Sequence, residues 1–139
     1  VLGRGFQHTV ALETALKLKE TCYLMVIGMS SADFLHGPIA TVKKALPIIM
    51  FGAAGPTSPM QADLAQKLKT LGADLAVIGS DQELLAQTKV AFPTTSELAE
   101  PLQPLLTVLG GQLLSCHLAE AKGLNPDAPR GLKKVTKTR

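Results

Sequence analysis

The chain has 139 residues, 46% of them hydrophobic and 18% charged, a balance that excludes an intrinsically disordered chain and favours one globular domain. It contains no run of about 18 uninterrupted apolar residues, the length that a membrane-spanning helix needs, so we expect no membrane partner. The net charge of +3 is uneven, because five of the 14 Lys and Arg residues lie in the last ten positions and the other nine are outnumbered by 11 Asp and Glu.

Helix-like and strand-like segments alternate along the chain. A continuous apolar run such as that at 47–51 is typical of a parallel strand covered on both faces. On the first helix, the apolar residues Leu12, Ala15, Leu16 and Tyr23 predict the flank that faces the core. The predicted elements are strands at 1–2, 47–51, 74–78 and 89–92, helices at 8–24, 32–44 with a break at 37–38, 61–71 and 81–87, and a long helix from about 100–103 to 122, with a loop at 3–5 and an apolar connector at 25–29.

Strands that alternate with helices predict an α/β fold in which a mostly parallel sheet lies between two helical layers, a three-layer αβα sandwich of the flavodoxin-like or Rossmann-like kind. We expect residues 1–124 to form this single domain. Residues 125–139 are rich in proline and then basic, so we expect a tail that lies across another surface. No aromatic side chain is interleaved with its five charges, so we expect no nucleic-acid partner.

Three charged residues of the first helix project from one face. Glu13, Lys17 and Glu20 are spaced i, i+4 and i+7, so at 100° per residue they fall within about 60° of one another. Such a triplet is commonly a solvated stripe whose i,i+4 pairs contribute about 0.2–0.5 kcal/mol each, and the spacing by itself favours that interpretation. The alternative is a polar face that lines a site.

His36 and Lys134 are the other candidates for chemistry. His36 lies in a Leu-His-Gly-Pro segment, where an imidazole can carry a proton near neutral pH or simply cap a turn. Lys134 is either a solvated charge or an amine that adds to a carbonyl or holds an enolate oxygen. Cys22 and Cys116 are too few for a disulfide framework or a zinc site, so we predict no metal and two buried thiols in a reducing cytoplasm.

Three sequence blocks and the closing tail occur in an order that is typical of one enzyme family. Gly-Arg-Gly at 3–5 precedes Ala-Leu-Glu-Thr-Ala-Leu-Lys-Leu-Lys-Glu at 11–20 and His-Gly-Pro-Ile-Ala at 36–40, and Asn-Pro-Asp-Ala-Pro-Arg-Gly-Leu-Lys-Lys-Val-Thr closes at 125–136. Together they resemble the sugar isomerase (SIS) domain family, most closely the second SIS domain of glucosamine-6-phosphate synthase-type and deaminase-like enzymes. The resemblance covers residues 1 to about 136 and implies a five-stranded parallel sheet in an αβα sandwich.

The resemblance implies a role for each candidate residue. Glu20 matches the glutamate that moves a proton between C1 and C2 of an open-chain hexose phosphate, and Glu13 and Lys17 match its polar neighbours. His36 matches a histidine that assists ring opening and is donated by the partner subunit of a homodimer. Lys134 matches a tail lysine that forms a Schiff base with the ketose.

The resemblance also implies aldose–ketose isomerisation of hexose or hexosamine 6-phosphates, coupled to amination or deamination. Gly3, Arg4 and Gly5 are expected to bind the substrate, and no metal or organic cofactor is required. The serine-rich loop that holds phosphate in the family's first SIS domain is missing, and the chain opens without Met, so we expect the C-terminal half of a longer tandem-SIS enzyme. The alternative is a sugar-phosphate-binding regulator with the same fold and no turnover, which the joint presence of the glutamate, the histidine and the tail lysine disfavours.

Three positions depart from the family pattern. His8-Thr9 stands where Tyr-Pro is usual, Thr14 where glycine is usual, and Ile27 where an acidic residue is common. These departures suit a deaminase or isomerase relative better than the synthase itself.

Overall fold

The computed structural model of the protein describes residues 1–95 and 97–132. Within them, the strands are β1 (Leu2–Gly3), β2 (Met29–Ser30), β3 (Pro47–Gly52), β4 (Asp74–Gly79) and β5 (Val90–Pro93), and the helices are α1 (Gln7–Cys22), α2 (Ser31–Leu35), α3 (Ser58–Thr70), α4 (Gln82–Leu85) and α5 (Pro104–Ala121). Short 3-10 helices cover Pro38–Thr41 and Glu100–Leu102. Among the described helices, none is long and apolar enough to cross a membrane.

The described strands form one parallel sheet in the order β2-β1-β3-β4-β5. β3 and β4 pair over their whole length, from Pro47 opposite Asp74 to Gly52 opposite Gly79. The order 2-1-3-4-5 is that of flavodoxin-like folds, in which ligands bind beyond the carboxyl ends of the strands. The predicted α/β class is therefore confirmed.

Helices cover both faces of the sheet. Successive side chains of a strand point to opposite faces, so Ile48 and Met50 of β3 pack with α2, α3 and α4, whereas Phe51 packs with α1 and α5. The buried residues therefore form one core cluster on the α3 side of the sheet and two on the α1–α5 side. This alternation also explains the continuous apolar sequence of β3, which has no face left for water.

The predicted inward flank of α1 is wrong in part. Leu12 and Leu16 are 48% and 45% exposed, and of the four predicted residues only Ala15 is buried. The buried side instead includes Thr14 and Gln7, because the close approach of α5 favours small or hydrogen-bonded side chains there. Gln7 Oε1 accepts a 2.7 Å hydrogen bond from Thr107 of α5. The two large leucines consequently lie on the outer face.

Two further segments differ from the sequence prediction. The apolar connector at 25–29 ends in strand β2, which is too short for its alternation to be detected. The predicted helix at 32–44 is only a five-residue helix, α2, and a separate 3-10 turn that begins at Pro38. Gly37 (φ 156°) and Pro38 break it at the predicted place, because proline has no N–H for the helical hydrogen-bond ladder.

Candidate functional site

The charged triplet of α1 forms a connected group on the outer side of its helical layer. Lys17 Nζ lies 2.6 Å from Glu20 Oε2 and 3.9 Å from Glu13 Oε1. The side chains of Glu13, Lys17 and Glu20 are 35%, 33% and 28% exposed, so the group is neither buried nor fully solvated. The face predicted from the spacing therefore exists, with the ammonium group between two carboxylates.

Electrostatics fix Lys17 in its charged form. The hydrogen bond to Glu20, together with attraction to both carboxylates, holds the pKa of Lys17 above its usual value despite partial desolvation. A lysine of this kind is an electrostatic group and not a nucleophile at neutral pH. Within the described residues, the second carboxylate oxygen of Glu20 has no hydrogen-bond partner, so it is available to take a proton from a ligand.

Close packing between α1 and α5 holds the triplet in place. A Cβ added at Gly111 of α5 would lie 2.0 Å from Thr14 Oγ1, so the two helices touch where that glycine stands. Near the end of α1, Cys22 Sγ donates to the carbonyl of Ser115, with a separation of 3.2 Å. At 100° per residue Lys17 projects only about 60° around the helix from Thr14, so the triplet flanks these contacts.

The predicted substrate-binding loop lies at the other end of α1. Gly3, Arg4 and Gly5 follow β1 and lead into the first turn of the helix, and a Cβ at Gly3 would meet the backbone of Gln7 at 2.2 Å. Glu20 stands 13 residues beyond Gln7, which is about 20 Å along a helix that rises 1.5 Å per residue. The structure therefore does not bring this loop to Glu20, and its role in binding stays a prediction.

His36 is exposed and lies in the opposite helical layer. It follows α2, whose Phe34 packs into the core on the α3 side of the sheet, and its backbone N–H donates to Asp33 at 3.1 Å. The sheet thus separates His36 from Glu20 within one chain. A direct role beside Glu20 requires the histidine of another copy.

Lys134 lies outside the described residues. The segment that leads to it, residues 125–132, returns to the C-terminal end of α1, where the Arg130 guanidinium stacks over the ring of Tyr23 at 4.1 Å. Arg130 N–H also donates to Tyr23 Oη, at 2.8 Å. The described part of the tail therefore ends next to the helix end that carries Glu20.

A second polar cluster, which the sequence analysis missed, lies at the carboxyl ends of β3 and β4. A cavity of about 420 Å³ is lined by residues 54–55, 58–59 and 80–83. Buried Asp81 accepts hydrogen bonds from Ser58 Oγ at 2.5 Å and from Leu84 N–H at 3.1 Å, and Ser80 binds both Ala54 N–H and the Gln103 side chain. The Gly-Ser-Asp sequence at the end of β4 is its signal, since the aspartate caps α4.

The lining of this cavity is acidic. Asp81 and Glu83 contribute carboxylates, and the lining contains no lysine, arginine or histidine. A phosphate group needs cationic or N–H donors and would be repelled by these carboxylates. No group of three or more metal-ligating side chains is present in the described part of the chain.

Comparison with known proteins identifies the family that this chain matches. The model of the SIS domain family matches residues 1–121. The chain is 35% identical over 133 residues to a glutamine–fructose-6-phosphate aminotransferase (isomerizing) of Pyrococcus horikoshii and 37% identical over 133 residues to the enzyme of that name from Lactiplantibacillus plantarum. Each match covers 96% of this chain but only 22% of the relative's length.

Solved structures show the same likeness. The C-terminal domain of glucosamine-fructose-6-phosphate aminotransferase from Francisella tularensis has a TM-score of 0.77 and 27% identity, covering 89% of this chain and 36% of that one. A glucosamine-6-phosphate deaminase from Thermotoga maritima has a TM-score of 0.76 and 27% identity, covering 96% and 38%. A tagatose-6-phosphate ketose/aldose isomerase from Escherichia coli, with a TM-score of 0.77 and 23% identity over 99% and 39%, shares the fold.

Proposed function

Because the chain belongs to the SIS domain family, we propose that α1 carries the proton-transfer residues of a site that interconverts aldose and ketose forms of a hexose or hexosamine 6-phosphate. The observation that carries the proposal is the Lys17–Glu20 pair, half-buried on an outward face with one carboxylate oxygen unbonded among the described residues. The names of the similar enzymes, an isomerizing aminotransferase and a deaminase, support the substrate class.

The chemistry needs one base that serves two adjacent carbons. Glu20 takes the proton from C1 of the open-chain ketose; the C–H electron pair forms the C1=C2 bond while the carbonyl pair moves to O2, which takes a proton from water to give the enediol. Glu20 then returns its proton to C2 as the O1 hydroxyl loses a proton to water and the C1=O bond of the aldose forms. Lys17 holds the other carboxylate oxygen, so the base is fixed in orientation. Its charge, with Glu13 beside it, also gives the face a polar field in which a sugar hydroxyl can bind.

The amine and the imidazole that the proposed reaction also needs are not on the face of Glu13, Lys17 and Glu20. We propose that Lys134 reaches it from the tail and forms an imine with the ketose carbonyl, releasing water, and that water cleaves this imine to restore the carbonyl before the proton transfer. His36 cannot join Glu20 of its own chain, so we propose that a second copy supplies it for ring opening. The required assembly is a homodimer. The two unpaired thiols, Cys22 and Cys116, fit a reducing cytoplasm.

The outer side of the α1–α5 layer is suited to a covering domain. Leu105, Leu109 and Leu113 of α5 are each more than half exposed and recur every four residues, and Leu12 and Leu16 of α1 are exposed in the same layer. An apolar stripe of this kind beside a charged group marks a surface that another domain covers. We propose that a further SIS domain packs there and holds the phosphate, for which the acidic cavity is unsuited.

The test is exchange of the C1 proton of fructose 6-phosphate with D₂O, followed by proton NMR. The assay uses the 139-residue chain alone and joined to an upstream SIS domain. Replacing Glu20 with glutamine keeps the shape and removes the base, so we expect exchange to fall by about 10²–10⁴-fold. Asp63→Asn, on α3 in the other layer, is the matched control and should exchange at the wild-type rate. Exchange that persists in Glu20→Gln would exclude Glu20 as the base.

A further inference from the structure

The C-terminal segment ends its described course in a tight turn. Asp127 N–H donates to Asn125 Oδ1 at 2.9 Å, and Leu132 N–H reaches the carbonyl of Pro129 at 3.4 Å. Gly131, the third residue of the turn from Pro129 to Leu132, has φ 74°, the left-handed conformation that a type II turn requires at that position. The turn places Arg130 at its corner, with both its N–H and its side chain toward α1.

Tyr23 contacts both the backbone N–H and the guanidinium group of Arg130. Its hydroxyl accepts the Arg130 N–H at 2.8 Å, and its ring lies 4.1 Å from the guanidinium carbon. Tyr23 is also the left-handed C-cap of α1, with φ 56°, and its own N–H bonds to Leu18. Glycine is the usual residue at such a position, because a side chain there is strained. The presence of tyrosine at this strained position therefore indicates that its side chain has a role, and its side chain contacts Arg130.

The anchor lies close to the proposed base. Tyr23 comes three residues after Glu20, at the end of the same helix. Lys134 follows Arg130 by four residues, a distance that an extended chain spans in at most about 14 Å. Holding Arg130 at Tyr23 therefore limits, by the length of four residues, how far from the end of α1 Lys134 can act.

We propose that Tyr23 is a positioning residue: it holds the turn at 129–132 against the end of α1 and thereby sets where the catalytic part of the tail is delivered. The delivery of Lys134 rests on the function proposed above; the anchor itself rests only on the contacts of Tyr23. A guanidinium–ring contact and a neutral hydrogen bond together favour the docked segment about tenfold over the released one.

The first measurement is hydrogen exchange of the Arg130 amide in the 139-residue chain, resolved by NMR. In the wild type this amide should be protected, and Tyr23→Leu, which loses ring and hydroxyl, should raise its exchange rate about tenfold. Tyr23→Phe keeps the ring and should lie between the two. Gly131→Ala, which strains the turn without touching Tyr23, should raise exchange as well. Lys67→Ala on α3 is the control and should change nothing.

The second measurement separates the anchor from the proposed function. Borohydride trapping with fructose 6-phosphate should label Lys134 about tenfold more slowly in Tyr23→Leu than in the wild type, with partial recovery in Tyr23→Phe and an unchanged dependence on sugar concentration. An Arg130 amide that is unprotected in the wild type, or equal trapping rates in all three proteins, would overturn the proposal. If the wild type traps nothing while Tyr23 still controls Arg130 exchange, the imine role fails and the anchor stands.

Discussion

The closest test of the scaffold beneath the site is Gly111→Ala. A Cβ at this position would meet Thr14 Oγ1 at 2.0 Å, Thr14 Cβ at 3.1 Å and Phe51 Cζ at 3.2 Å. The first of these contacts is well inside van der Waals distance. Thr14 is fully buried and β-branched, so it has little freedom to turn away. The helices must therefore separate for alanine to fit.

The expected loss of stability follows from two opposing effects. Overpacking a core of this kind costs about 2–3 kcal/mol, and the better helix propensity of alanine returns about 1 kcal/mol. We expect a net loss of about 1–2 kcal/mol, which for a chain of this size lowers the melting temperature by about 3–10 °C. Thr14 Oγ1 has no hydrogen-bond partner in the described structure, so Thr14→Ala should cost little by itself and should restore much of the stability of Gly111→Ala.

The assay is thermal unfolding followed by circular dichroism for the two single variants and the double variant. Gln112→Ala is the control, since that neighbour is exposed and gains only helix propensity. A Gly111→Ala protein that melts at or above the temperature of Gln112→Ala would refute the close contact of α1 and α5. So would a double variant no more stable than Gly111→Ala.

Three further results are expected. Burial lowers the pKa of the Val1 amine from 8.0 to about 6. Between pH 6 and 8 the unfolded 139-residue chain therefore binds more protons than the folded chain, and its stability against urea should rise with pH across that window. Nα-acetylation should abolish the rise, and an unchanged profile after acetylation would contradict the burial. His36→Ala should slow turnover more with cyclic fructose 6-phosphate than with an open-chain analogue, and equal losses would give His36 a structural role. Sedimentation velocity should show a dimer at micromolar concentration, and a monomer would leave the proposed site without its histidine.

The fold class could be predicted from the sequence because local patterns in the chain determine where its strands and helices lie. The apolar run of β3 and the Gly-Pro break before the 3-10 turn follow from period and from backbone chemistry, and both lie where they were predicted. The inward flank of α1 did not follow, because α5 selects small side chains such as Thr14 by close approach. That selection depends on a residue almost a hundred positions away.

Part of the candidate site could also be predicted from local sequence, whereas the rest depends on residues that are distant in the chain. The common face of Glu13, Lys17 and Glu20 is a consequence of helical geometry and could be predicted from spacing. Whether that face was a solvated stripe or a site could not, because partial burial depends on the neighbouring layer. The contact between Tyr23 and Arg130 joins residues 107 positions apart, and no local pattern announces it.

Reductive trapping with fructose 6-phosphate and borohydride, mapped by peptide mass spectrometry, tests most directly whether an open-chain sugar phosphate binds at this face. The experiment compares the 139-residue chain with the same chain joined to an upstream SIS domain. We predict a hexose-phosphate adduct on Lys134, stronger in the joined protein. No adduct in either protein, or adducts spread evenly over the exposed lysines, would contradict the account.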